Sequence, residues 1–276
     1  MSVTIRRLRS EDLGPLRELI SAHPVRHSFV SARLEALGSQ AGTLQGFLGA
    51  FAGDDLESAL MLGANVVPIN TSHESRIAFA TEIVALRERC LSLVGSQEEV
   101  LELWRLLEPA WGSARDVRSE QPFFSMGKPS TLQIDDQVRY SNIADLDNLF
   151  PACVDMFTEE VGISPIVNRP SAYRQRVNEL VTNRRSFIRC DGDEVIFKAE
   201  VGSFGNGVAQ LQGVWVHPDY RGRGIASPAI AAVVRLVLQD LARVVSLYAN
   251  VYNARAVAAY RRVGFEQTDT FASVLL

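Results

Sequence analysis

The stretch from Val208 to Ala242 constrains this chain more than any other. VAQLQGVWV reads as a buried strand, HPDYRGRG as a turn, and IASPAIAAVVRLVLQDLA as a long apolar helix. Pro218 ends the strand's hydrogen-bond ladder, and Pro228 is tolerated because it falls in the first helical turn. A strand handed to a helix through Arg221-Gly222-Arg223-Gly224 admits two readings. One is a basic, solvated turn. The other is an anion cradle, because glycines let backbone N–H groups approach a ligand and the helix N-terminus favours negative charge. The lysine of a GxxxxGK[ST] phosphate loop is absent. A dinucleotide GxGxxG fingerprint fails as well: Ser227 stands at its third glycine, and the next strand, VVSLYANV, ends without an acid. An RGG-type nucleic-acid segment would be disordered, whereas this loop lies between two strongly apolar elements.

The rest of the chain sets the frame. A length of 276 residues with 47% hydrophobic content is enough for one large domain or two of ordinary size. A net charge of −4 argues against nucleic acid as the main partner. MSVTIRRLRSEDL is followed by no apolar segment of the secretory kind, and no apolar run approaches the ~20 residues of a membrane-spanning helix, so the expectation is a cytoplasmic protein with no membrane partner. Cys90, Cys153 and Cys190 are dispersed, as are His23, His27, His73 and His217, so neither a disulfide framework nor a metal site is expected. Pro24 makes the segment between His23 and His27 a loop.

Element order supplies the architecture. VTIRRL reads as a strand, and two helices follow, the first capped at Ser10 and the second covering Phe29 to Leu37. LQGFLGAFAG and SALMLGANVVPI read as two strands about Gly53-Asp54-Asp55. A helix from Glu74 to Arg89, the strand CLSLVG and a helix from Glu98 to Leu107 complete a first half. Residues 112–130 lose all periodicity and read as an interdomain linker, with Phe123 and Phe124 docking onto a domain. The order then begins again. QVRYS is a strand, residues 143–160 and 170–183 are helices, and RSFIRC and EVIFKAEVGSF are strands about Asp191-Gly192-Asp193. The strand–loop–helix unit comes next, followed by VVSLYANV, the helix ARAVAAYRRV closed by Gly264, and the strand TFASVLL. The expected domains are 1–125 and 126–276. They share an element order without evident sequence identity.

QLQGVWVHPDYRGRGIASPAI resembles motif A of the GNAT acyltransferase superfamily, whose [RQ]xxGx[GA] loop binds the pyrophosphate of acetyl-CoA. Arg221, Gly222, Arg223, Gly224, Ile225 and Ala226 match it at each defining position. NARAVAAYRRVGF resembles the family's NxxAxxxYxxxGF segment, with Asn253, Ala256, Tyr260, Gly264 and Phe265 in place. The resemblance covers roughly the C-terminal half and favours the phosphate cradle. It implies an α/β (α+β) fold of two tandem GNAT-like domains. Each would be a mixed, mostly antiparallel central sheet flanked by helices, and the N-terminal copy would be degenerate, since TSHESRIAFATEIV offers no Arg-Gly-rich loop. In layout the chain resembles actinobacterial GNAT proteins with an N-terminal domain of unknown function and, more loosely, mycothiol synthases.

The resemblance also implies roles. Val214, Trp215 and Val216 would offer backbone groups to the pantetheine arm and part of the oxyanion stabilisation, and Arg221 to Ala226 would hold the pyrophosphate. Tyr260 would protonate the leaving thiolate, which suits a phenol with pKa near ~10. Asn253, an N-cap by position, caps its helix, touches the cofactor, or does both. The strand glutamate that many family members use as a base is missing, with Gln210 and Gln212 in its place. Glu200 is the nearest candidate, either as base or as an outward strand carboxylate. Glu159 and Glu160 either shape the acceptor pocket or form a solvated helix end. The expected activity is acetyl-CoA-dependent N-acyl transfer to a small-molecule or peptide amine, by a monomer or homodimer without metal. The rival expectation is a non-catalytic acyl-CoA sensor.

Overall fold

The computed structural model describes residues 3–37, 44–86, 90–167 and 170–276. In chain order the elements are β1 (Thr4–Arg7), α1 (Leu13–Ser21), α2 (Ser28–Leu37), β2 (Phe47–Ala52), β3 (Asp55–Met61), β4 (Asn65–Ile69), α3 (His73–Leu86), β5 (Ser92–Ser96), α4 (Gln97–Trp111) and β6 (Asp116–Met126). They continue with β7 (Arg139–Tyr140), α5 (Leu146–Val161), α6 (Pro170–Thr182), β8 (Ser186–Asp191), β9 (Glu194–Gly205), β10 (Val208–Val216), α7 (Ala226–Asp240), β11 (Val244–Tyr248), α8 (Ala254–Val263) and β12 (Glu266–Leu275). The order β-α-α-β-β-β-α-β-α-β occurs twice. The segment SALMLGANVVPI, expected as one strand, is two, β3 and β4, because the chain turns at Gly63-Ala64. The expected end of the third helix at Arg89 lies outside the described residues.

The chain forms two compact units. One comprises Met1–Phe124, Tyr248–Ala254 and Gln267–Leu276; the other comprises Ser125–Leu247 and Arg255–Glu266. The sheet of the first unit runs β1-β2-β3-β4-β5-β12-β6. From β1 to β12 the pairs are antiparallel except β4 with β5, which is parallel. Here the last strand of the chain lies beside β5, with Phe271 opposite Ser96 and Leu275 opposite Ser92. The core on one side joins Leu48, Leu60, Phe79, Leu93, Leu103 and Trp104 with Ala272 and Val274.

The expected linker over 112–130 is corrected by β6. Phe123 and Phe124 are buried, Phe123 stacks on Phe271 with ring centroids 4.3 Å apart, and Gln121 accepts a hydrogen bond from the Ser273 hydroxyl at 2.7 Å. Pro122 has no N–H to pair, but its carbonyl accepts from Ala249, so the strand survives it.

In the second unit the order is β7-β8-β9-β10-β11, antiparallel except β10 with β11. Residues Ala229 to Val234 of α7 are all buried, which accounts for a segment that is apolar on every face. On α5, Leu149, Ala152, Cys153 and Met156 recur at helical spacing and pack with Ile188, Val195 and Trp215.

Candidate functional site

The site of the second unit grows from two irregularities in β10. The parallel ladder to β11 pairs Val208, Ala209 and Gln210 with Val244, Val245 and Ser246 and goes no further, although β10 continues to Val216. Beyond Gln210 the strands diverge, so the edge of β10 that faces β11 is released from the ladder there, along Val214 to Val216. On the other edge, Gln212 lies opposite Glu200 and Trp215 opposite Lys198, so β10 carries one more residue than β9 over this span. That is a bulge, and Gly213 sits in it at φ +57°. A side chain there would meet Lys198 Nζ at 2.9 Å, Met156 Cε at 3.0 Å and Glu200 Cδ at 3.3 Å, so both conformation and space demand glycine.

Beneath the bulge lies a buried polar cluster. Lys198 is fully buried; its Nζ donates to Glu200 Oε2 at 3.1 Å and to the Gly213 carbonyl at 3.2 Å. Gln212 Nε2 donates to Glu200 Oε1 at 2.8 Å. Burial pulls the Lys198 ammonium down, but the Glu200 carboxylate leads the opposing effects and the net shift is upward, so Lys198 is cationic. Glu200 thus points inward, and each of its oxygens already accepts a hydrogen bond. Sequence reasoning missed Lys198 and Gly213. The signals were present: a lysine two residues before Glu200 shares its strand face, and a glycine inside a strand marks a bulge.

The loop from His217 to Ile225 joins β10 to α7. Gly222 and Gly224 have φ of +78° and +77°, and a Cβ on either would meet nothing, so both face open space. Arg223 lies over the Tyr220 ring at 4.8 Å, and the Tyr220 hydroxyl donates to Asp191 at 2.9 Å. Arg221 is held twice: its Nε donates to the Val216 carbonyl at 2.9 Å, and its Nη2 to both oxygens of Glu159, at 2.7 and 3.0 Å. Glu159, read from sequence as a solvated helix end or a pocket residue, is therefore the partner that fixes the first loop arginine. Ile225 carries no side-chain cap for α7, and Ala226 begins the helix. Arg223, Gly224 and Ile225 border a cavity of about 800 Å³, whose lining also holds the Arg189–Asp135 pair at 3.1 Å.

Tyr260 projects from α8 and is only 6% exposed, with its ring edge-on to Phe265 at 6.0 Å. Burial, and secondarily the charge of Glu160, raises its phenol above the ordinary value, so it is protonated at neutral pH. Asn253 belongs to the other compact unit. It is exposed, one residue ahead of α8, and its N–H donates to the Asn250 carbonyl at 2.9 Å. Among the described residues, no group of three or more His, Cys, Asp or Glu could hold a metal ion, and no helix is long and apolar enough to cross a membrane.

At this site a bulged strand parts from its parallel neighbour and leads through an open glycine loop into a buried helix. Comparison with known proteins finds a family match in each part of the chain. Residues 152–265 match the Acetyltransferase (GNAT) family, and residues 46–149 match a Domain of unknown function (DUF4081). The chain carries a GNAT acetyltransferase domain behind a DUF4081 domain.

An uncharacterized N-acetyltransferase of Methanocaldococcus jannaschii is 33% identical over 85 residues, which is 30% of this chain and 34% of that protein. The chain thus spans about a third of the length of the curated relative it matches. Among solved structures, a GCN5-related N-acetyltransferase from Sphaerobacter thermophilus superposes with TM-score 0.65 at 16% identity, covering 99% of this chain and 95% of that one. A tandem GNAT protein from the clavulanic acid biosynthesis pathway gives 0.58 at 11% identity, with 98% of each chain covered. Likeness at such identities establishes the mixed α/β fold, with helices flanking a mixed sheet.

Proposed function

We propose that this chain is an acetyl-CoA-dependent N-acyltransferase that moves an acetyl group directly to a primary amine, with the cosubstrate held by the second unit. One observation carries the reading: two left-handed glycines face open space where a diverging, bulged strand enters a helix. Backbone N–H groups of Arg221 to Ala226 would take the pyrophosphate, and the exposed Arg223 would add charge. The freed edge of Val214 to Val216 would pair with the pantetheine arm. Its N–H groups would stabilise the oxyanion as the amine attacks the thioester carbonyl. The C–S bond then breaks, and the Tyr260 hydroxyl gives its proton to the departing thiolate.

Lys198, by fixing the Gly213 carbonyl, would keep the bulge rigid while those N–H groups act. Because both Glu200 oxygens are occupied, an acceptor that arrives as free amine, or a water relay, fits better than direct proton removal by Glu200. The acceptor would be a small-molecule or peptide amine. The first unit, with no glycine loop at its β4–α3 turn, would be a degenerate copy.

The occupied Glu200 also supports a second reading, a non-catalytic acyl-CoA sensor. Tyr260→Phe separates the two. As an enzyme, the variant binds acetyl-CoA within about twofold of wild type and loses roughly 100-fold in kcat. An unchanged kcat would remove Tyr260 as the acid. If acetyl-CoA binds but no amine panel yields CoA thiol, the sensor reading holds.

A further inference from the structure

The first unit has a pocket of its own. A cavity of about 940 Å³ lies where the parallel strands β4 and β5 end, at the N-termini of α3 and α4, and is lined by Arg26, Asn70, Thr71, Arg76, Glu99 and Asp269 among others. Its volume falls in the range of small-ligand sites, ~300–1,000 Å³. In sheets with parallel crossovers, ligands favour the crevice beyond the strands' carboxyl ends.

Two of the lining side chains are more than nine-tenths buried and incompletely paired. Arg76 is 4% exposed and Glu99 6%. Arg76 Nη1 donates to the Thr71 carbonyl at 2.6 Å, and its Nη2 pairs with Glu98 at 3.0 Å and with Glu102. Glu99 Oε1 accepts from the Thr71 N–H and, at 2.8 Å, from the Thr71 hydroxyl. Arg76 Nε and Glu99 Oε2 have no partner. One is a guanidinium N–H donor and the other a carboxyl oxygen, and both side chains grip Thr71. Buried groups of this kind are costly to leave unpaired.

A ligand that offers a carboxylate and an ammonium on one carbon would supply a partner of the right kind to each. The lining carries the carboxylates of Glu98, Glu99 and Asp269 against the guanidiniums of Arg26 and Arg76, which favours the added ammonium. It disfavours a pyrophosphate, because Glu99 already occupies the Thr71 amide ahead of α3.

We propose that this pocket binds a free α-amino acid, its ammonium on Glu99 Oε2 and its carboxylate on Arg76 Nε. The site is independent of acetyl-CoA and of the transferase reading.

The test is isothermal titration of the full chain with the proteinogenic L-amino acids, one at a time at millimolar concentration and without acetyl-CoA. A saturable one-site response to a subset of them is expected. Glu99→Gln should weaken it at least about tenfold, and so should replacing the best ligand by its decarboxylated amine. If Glu99→Gln fails to fold by circular dichroism, Gln97→Trp narrows the same pocket from its partly exposed rim and should also abolish the response. No response to any amino acid would overturn the proposal. So would binding that persists unchanged in a folded variant, because the ligand would then lie elsewhere.

Discussion

The two units solve the same crossover differently. In both, a strand runs parallel to its neighbour and turns into a helix. In the second unit the turn is long, His217 to Ile225, with two left-handed glycines open to solvent. In the first it is short, Asn70 to Ser72, and its left-handed residue is Asn70, at φ +52°. The side chain of Asn70 is tied down: Nδ2 donates to the Leu19 carbonyl at 2.9 Å, and Oδ1 lies 3.0 Å from His27 Nε2. The next amide, that of Thr71, is taken by Glu99. One crossover leaves its two glycines open, where we propose that an outside anion binds, whereas the other gives the Thr71 amide to a carboxylate of its own chain. A helix N-terminus is an opportunity for an anion, and the neighbouring side chains decide who uses it.

The comparison breaks most sharply at Gly224. Gly224→Val should eliminate acetyl-CoA binding at millimolar ligand in titration calorimetry, since a β-branched residue is strained at positive φ and its side chain fills the phosphate approach. Asn70→Ala should leave that binding unchanged. Retained binding in Gly224→Val would move the cradle elsewhere.

Phe124→Ala comes next. It empties a fully buried position in β6 and should cost about 3–5 kcal/mol in denaturant unfolding, where a linker residue would cost almost nothing.

Third is the acid limb of the first unit. Burial, outweighing the hydrogen bond to Asn70, depresses His27 to about 4. The unfolded chain takes up this proton near pH ~6.5, so His27 contributes full stability above that pH. Its contribution falls between about pH 6.5 and pH 4 and levels off below, a loss of roughly 3 kcal/mol. His27→Gln should flatten this part of the stability–pH curve.

The smallest effect belongs to Glu159→Gln. Its pair with Arg221 is 41–45% exposed, so stability should change by less than ~1 kcal/mol and acetyl-CoA affinity by only a few-fold. A large loss would give Glu159 a larger part in shaping the loop.

The elements legible in the sequence were those whose cause is local. Arg221 to Ala226 announce a loop because glycines at fixed spacing impose backbone conformation wherever they stand. The helix that carries Tyr260 follows from its period and a glycine stop, while Tyr260 itself is singled out by the motif resemblance. Gly53-Asp54 and Gly192-Asp193 mark the hairpins of β2–β3 and β8–β9, as read. What failed depended on distant partners. Residues 116–126 contain a proline and scattered polar groups, so nothing local marks them as a strand. Phe271, Ser273 and Ala249 make them one, by stacking on or hydrogen-bonding to residues more than a hundred positions away.

The same division holds at the site. The sequence by itself determined most of the element order, short of the β3–β4 division and β6, together with the glycine loop and the buried helix behind it, because hydrophobic period and backbone sterics act within a few residues. Only the tertiary structure decided that Glu200 is spent on Lys198 and Gln212, that Glu159 holds Arg221, and that Arg76 and Glu99 meet at Thr71. These pairings follow strand register and crossover geometry, and a buried charge has no preferred partner until the fold brings one within reach.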